Sequence, residues 1–148
     1  MKPFVKWAGG KRQILEEIIK QIKEASDGLE NFTFYEPFVG GGIVFLALAN
    51  KKAVINDLNS ELINCYLVIR DNPIELMKEL EKHANNFKER NDAYYYEVRE
   101  WDRLSTFKDR TNIEKAARTI FLNKTCYNGL YRVNLKGEFN TPVGRYVE

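Results

Sequence analysis

Ile14, Leu15, Ile18, Ile19 and Ile22 recur at three- and four-residue intervals, which predicts an amphipathic helix over 11–25 that ends near Asp27-Gly28. Residues 32–36 (FTFYE) and 53–57 (AVIND) are short runs rich in aromatic and β-branched side chains, and they flank the apolar run 43–50. Their order predicts strand, glycine-rich turn, helix, strand. From 59 onward helical spacing dominates. Asn72-Pro73-Ile74-Glu75 predicts a helix start with Asn72 as the cap, and Thr111 with Glu114 predicts a capping box before EKAARTIFL. The pattern then shortens to VNLKGEFNT, where Lys136-Gly137 suits the two-residue turn of a β-hairpin. Tyr94, Tyr95 and Tyr96 share helical spacing with Val98 and Trp101 and so read as packing, and His83 reads as a surface or partly buried histidine rather than a catalytic one.

Composition adds limits. A chain of 148 residues suits one ordinary domain with its own core. Cys65 and Cys126 stand far apart without a CxxC spacing, which disfavours a metal site or a disulfide framework and suits a reducing cytoplasm. No apolar stretch is long enough to span a membrane and MKPFVKWAGG lacks the apolar core of a signal peptide, so a cytoplasmic, soluble protein without membrane attachment is expected. The net charge of +2 is unevenly spread: residues 1–24 hold six Lys/Arg against three Glu, and residues 123–148 hold four against two acidic residues. Basic character at both ends suggests a polyanion there, although a solvated mixed surface explains the charge equally well.

The glycines are the chemically informative stretch. FYEPFVGGG (34–42) places three consecutive glycines between a predicted strand and a predicted helix, and Asp57 closes the next strand. Such a turn lets a ligand approach backbone N–H groups, and the acidic residue can accept hydrogen bonds from ribose hydroxyls. An adenosine-containing cofactor is implied. The spacing is not G-x-G-x-x-G, which disfavours a nicotinamide-dependent oxidoreductase, and Arg12 after Gly10-Lys11 rules against a Walker loop. A plain glycine-rich loop with an incidental Asp57 stays open at this level, as does Asp57 or Asn59 serving as a helix cap.

FVKWAGGKRQ (4–13), YEPFVGGG (35–42), INDLN (55–59) and NGLYRVNLKGEFNTPVGRY (128–146) stand in the order found in DNA adenine methyltransferases of the Dam and DpnM type, a family this chain resembles over nearly its whole length. The resemblance implies an α/β fold: a partial Rossmann-like S-adenosylmethionine-dependent methyltransferase domain with a helical DNA-recognition region and a terminal β-hairpin. It implies that 1–58 bind the cofactor and that 59–148 read the target. For S-adenosylmethionine it implies Trp7 beside the methionine end, Lys11 at the carboxylate, Phe38, Val39, Gly40, Gly41 and Gly42 as wall and floor of the pocket, and Asp57 at the ribose. For double-stranded DNA it implies contact by Lys6, guanine reading by Arg132, apolar contacts from Leu130 and Pro142, and a base or phosphate contact from Arg145. Tyr127 and Asn128 match positions beside the extruded adenine, while Lys124, Lys136 and Tyr146 match phosphate contacts. The hairpin is similar to that of members that methylate GATC, and the family resemblance leaves both restriction-modification and another role open.

The departure from the family lies in the catalytic motif. Asp-Pro-Pro-Tyr, which in this family orients the weakly nucleophilic adenine amine, does not occur; the prolines are Pro3, Pro37, Pro73 and Pro142. The catalytic carboxy-terminal half is therefore expected to be absent from these residues, and no catalytic residue is identified among them. Only two convincing strands can be found, fewer than a doubly wound sheet needs. The expectation is a cofactor- and DNA-binding half that pairs with a separate catalytic half or self-associates through an exposed sheet edge. The alternative is a non-catalytic S-adenosylmethionine- and DNA-binding fragment or truncated gene product.

Overall fold

The computed structural model describes residues 2–29, 31–49 and 52–145. They form two compact units, Met1–Asn59 and Ser60–Glu148.

The first unit opens with a 3-10 turn, Lys11–Ile14, that runs into α1, Leu15–Ala25. The helix predicted over 11–25 is thus α-helical only from Leu15. β1, Phe34–Glu36, and β2, Ala53–Ile55, pair in parallel with Phe34 opposite Ala53, Tyr35 opposite Val54 and Glu36 opposite Ile55. The short α2, Ile43–Leu48, lies between them in sequence. Because side chains alternate along a strand, one face of the pair carries the exposed Tyr35 and Val54 while Glu36 is buried on the other. The ladder runs on beyond both strands, with Phe34 N–H donating to Lys52 O and Asn56 N–H to Glu36 O, both at 2.9 Å, and Val39 N–H returning to Asn56 O at 2.9 Å. These bonds draw the loop after β1 against the end of β2.

The second unit is helical: α3, Ser60–Asp71; α4, Pro73–Arg99; and α5, Asn112–Thr125. α5 is central, because Ala116, Ala117, Arg118, Thr119, Ile120, Phe121, Leu122 and Asn123 are all buried, leaving no solvent face over two turns. Its start follows the expected capping box: Thr111 Oγ1 accepts the Glu114 N–H at 3.2 Å and Glu114 Oε2 accepts the Thr111 N–H at 2.8 Å. Asn72 precedes α4 as expected, with Pro73 in the first turn, but its side chain makes no capping bond. α4 is two helices meeting at Asn91, whose φ of 48° and ψ of −133° break the helical path. Tyr94, Tyr95 and Val98 of its second part pack with Phe121, Leu122, Cys126 and Phe139 in one core. His83 is more buried than expected: Nδ1 lies 2.8 Å from the Tyr94 hydroxyl and its ring stacks on Phe121 at 4.9 Å. Among the described residues no helix is long and apolar enough to cross a membrane.

The expected terminal hairpin takes a different form. Residues 126–145 contain no regular strand, and antiparallel pairing is limited to isolated bridges between Cys126 and Val143 and between Val133 and Phe139. The turn is not centred on Lys136-Gly137. It runs from Asn134 to Gly137, with Gly137 N–H on Asn134 O at 3.0 Å and Gly137 in the left-handed region at φ 81°. The Asn134 side chain sets this register, because its Oδ1 accepts the Lys136 N–H at 2.9 Å and the Glu138 N–H at 3.0 Å.

Candidate functional site

In the first unit the structure gathers the expected cofactor residues around the glycine loop. Gly40 sits at φ 51°, and a Cβ built on it would lie 3.1 Å from Cδ1 of Trp7; a Cβ on Gly41 would lie 3.5 Å from Trp7 Cβ and 3.5 Å from Val5 O. The glycines therefore admit an indole from within the chain, and the permissive backbone at Gly40 is required both by its dihedral and by this approach. Asp57 approaches from β2: Oδ2 accepts the Gly40 N–H at 2.9 Å and Oδ1 accepts the Asn59 N–H at 3.0 Å. Each carboxylate oxygen keeps a further lone pair for another donor. Lys11 donates to Phe38 O at 3.1 Å and pairs with Glu36 Oε1 at 3.5 Å. Val39 is buried and Gly42 precedes α2, while the Phe38 ring is 75% exposed beside the loop.

Glu36 is the residue that the sequence pattern left without a role. Its carboxylate is buried, its Oε2 accepts the Phe45 N–H in the first turn of α2 at 3.0 Å, and its Oε1 meets Lys11. It links the end of β1, the start of α2 and the Lys11 ammonium. The signal was a carboxylate closing a strand just ahead of a helix start, where negative charge is favoured by the helix dipole. Lys6 is exposed on the same unit.

In the second unit the expected target-reading residues lie at the end of α5 and along residues 126–145, the arm. Lys124 is exposed in the last turn of α5. Tyr127 and Asn128 occupy the 3-10 turn Tyr127–Gly129, both exposed, with Asn128 at φ 54°. The Tyr127 N–H donates to Pro142 O at 2.9 Å, and Thr141 Oγ1 donates to Leu130 O at 2.7 Å, so Tyr127, Leu130 and Pro142 come together from opposite ends of the arm. Arg132 is exposed, with Nε on Asn140 Oδ1 at 2.8 Å and Nη2 on Asn140 O at 3.3 Å. Lys136 sits in the turn at the arm's tip; Arg145 is exposed and follows Gly144, whose N–H donates to Thr125 O at 2.7 Å; Tyr146 lies outside the described residues. The two cysteines join neither group: both are buried, and burial pushes the Cys65 thiol up to about 12.

Two parallel strands joined through a glycine loop and a short helix, with a carboxylate closing on that loop, define a small α/β unit. Residues 7–148 match the family model of the D12 class N6 adenine-specific DNA methyltransferases, and the chain belongs to that family. It is 45% identical over 146 residues to the type II methyltransferase M1.LlaDCHI of Lactococcus lactis subsp. cremoris, covering 99% of this chain and 49% of that protein. It is 46% identical over 156 residues to the type II methyltransferase M.MjaIII of Methanocaldococcus jannaschii, covering 99% and 53%, and 35% identical over 148 residues to the DNA adenine methylase of Escherichia coli strain K12, covering 98% and 48%. The chain spans about half the length of the curated relatives it matches.

Proposed function

We propose that this chain supplies the S-adenosylmethionine-holding and DNA-reading parts of an adenine methyltransferase, with GATC in double-stranded DNA as the target. The observation that carries the reading is the convergence of Trp7 and Asp57 on Gly40 in a member of this family. The donor set fits the cofactor: an indole for an apolar, sulfonium-bearing tail, an ammonium for its carboxylate and a carboxylate with spare lone pairs for ribose hydroxyls. Residues 1–58 form the cofactor part in this proposal and 59–148 the target-reading part. Lys11 holds the carboxylate, Asp57 the ribose, and Phe38 to Gly42 line the pocket with Trp7 opposite. When bound, S-adenosylmethionine supplies an electrophilic methyl group for the exocyclic amine of adenine.

The protein's own task on the DNA side is to take the adenine out of the stack and hold its neighbours. Arg132 presents its Nη1 and Nη2 donors to a guanine edge, because Asn140 already occupies Nε and one Nη2 hydrogen. Leu130 and Pro142 offer apolar contact for a thymine methyl, and Tyr127 and Asn128 stand where side chains replace the extruded base. Lys6, Lys124, Lys136, Arg145 and Tyr146 meet phosphates, with Arg145 also able to reach a base.

The absence of Asp-Pro-Pro-Tyr from the 148 residues favours a second reading, in which these residues bind cofactor and duplex without transferring methyl by themselves. Transfer of labelled methyl from S-adenosylmethionine to a GATC duplex, with a scrambled duplex as control and calorimetric cofactor titration alongside, separates the two. Transfer confined to GATC by these residues alone overturns the second reading and shows that they complete the chemistry rather than supply parts of it. Cofactor and duplex binding without transfer supports the second, and loss of neither on Asp57→Ala and Arg132→Ala overturns both.

A further inference from the structure

Two adjacent residues of the helical unit grip one residue of the arm by both of its backbone groups. After α4 the chain makes a 3-10 turn, Glu100–Arg103. From it Asp102 Oδ2 accepts the Phe139 N–H at 2.8 Å, and Arg103 Nη2 donates to Phe139 O at 2.9 Å. The grip is itself braced. Asp102 also takes Arg118 Nη2 and Arg103 Nη1, each at 2.7 Å, and Arg103 Nη1 donates to Arg99 O at 3.0 Å. Arg118 is 3% exposed and donates to Val98 O at 3.0 Å and Arg99 O at 2.8 Å, so the anchor is fixed to the centre of α5. The Phe139 ring is buried in the core beside Tyr131.

The residue after Phe139 is Asn140, and Asn140 orients Arg132. Its N–H donates to Arg132 O at 3.0 Å, while its side-chain and backbone oxygens take one edge of the Arg132 guanidinium. A fixed Phe139 peptide therefore fixes Asn140, and a fixed Asn140 fixes the direction in which Arg132 offers its free edge. We propose that Asp102 and Arg103 are positioning residues for base reading, acting through Phe139 and Asn140 on Arg132. The proposal rests on the reading of Arg132 as the guanine reader. A paired contact to a guanine edge needs two donors held in one plane, so a loosened Asn140 reduces discrimination before it reduces general affinity.

Asp102→Ala strands the buried Arg118 charge and risks unfolding the unit. The informative substitutions are Arg103→Met, which keeps the aliphatic stem, and Arg103→Lys, which keeps the charge without the fork. Binding of the chain, with S-adenosylmethionine present, is measured by fluorescence anisotropy on a GATC duplex and on one whose first G·C pair is A·T. Both variants are expected to lower the ratio of the two affinities by about tenfold while affinity for the altered duplex stays within about twofold. In an Arg132→Ala background, Arg103→Met is expected to change the ratio no further, since the route through Arg132 is already gone. An unchanged ratio in both variants overturns the positioning role alone. Equal weakening on both duplexes, or a further drop in the Arg132→Ala background, shows a merely structural or electrostatic residue and also overturns it. A wild-type chain that binds both duplexes alike, or neither, overturns the reading of Arg132 and the proposal with it.

Discussion

Asp57 Oδ2 accepts the Gly40 N–H at 2.9 Å, tying the segment that follows β2 to the glycine loop that follows β1. The same carboxylate holds the Asn59 N–H through its other oxygen, so one side chain ties both the loop and the backbone two residues on. Replacing Asp57 by Ala leaves two backbone donors to find water, at a cost of about 1–3 kcal/mol in stability. Asp57→Asn keeps one acceptor and is expected to recover part of that loss but not cofactor affinity. Urea unfolding and calorimetric titration of S-adenosylmethionine measure the two effects; equal affinity in wild type and Asp57→Asn would count against a ribose contact.

Gly40 and Gly41 differ although they are neighbours in one loop. Gly40 lies at φ 51° with Trp7 Cδ1 3.1 Å from the position a Cβ would take, whereas Gly41 has no positive φ and its nearest such distances are 3.5 Å. Gly40→Ala is expected to cost about 1–2 kcal/mol from the left-handed backbone and the indole displacement together, and Gly41→Ala less than about 0.5 kcal/mol. Denaturation midpoints of the two variants check the contrast. Equal losses would mean that the loop adapts and Trp7 does not define it.

Where local pattern decides structure, the sequence was legible. The strand, glycine turn, helix and strand follow from alternating and helical spacing, and the Thr111–Glu114 box marks the start of α5 because both partners lie within one turn. The pairing of Asp57 with the glycine loop was legible in the order of strand, turn, helix and strand, whereas the arrival of Trp7 and Lys11 at that loop was accessible only through the family resemblance, since no periodicity connects them to it. Glu36 remained hidden because its partners, Lys11 and Phe45, are set by tertiary approach. The turn of the arm shifted because one Asn134 side chain accepts two N–H groups, an effect that glycine placement alone does not reveal. Asp102 and Arg103 carry no local signal in the sequence for the same reason, since Phe139 lies 36 and 37 positions away.

The break in α4 makes a separate test. Asn91 at φ 48° and ψ −133° occupies a region that costs a residue with a Cβ of the order of 1 kcal/mol or more, and the position is exposed. Asn91→Gly is expected to raise stability by about 1 kcal/mol, and Asn91→Ala to lower it. Chemical denaturation of both variants decides the matter. A loss on Asn91→Gly would show that the Asn side chain contributes more than its backbone strain costs.

His83 links stability to pH. Burial, chiefly, pushes its pKa down from 6.5 to about 4; Glu79 opposes the shift, while Arg110, Arg118 and Lys82 reinforce it. The folded state holds the imidazole neutral against Phe121 and the Tyr94 hydroxyl, whereas the unfolded chain protonates it near its ordinary value. Between about 6.5 and 4 the unfolded state thus binds a proton that the folded state refuses, and the contribution present in full above that window is lost as pH falls through it. The loss amounts to at most about 3 kcal/mol. His83→Gln keeps a hydrogen-bonding partner for Tyr94 but cannot titrate, so its stability is expected to fall less between pH 7.5 and 4.5 than that of the wild type. Unfolding free energies of the two proteins at those pH values provide the comparison, and parallel pH dependence would move the acid sensitivity to carboxylates such as Glu114, which its bonds to the Thr111 backbone hold below the usual carboxylate range.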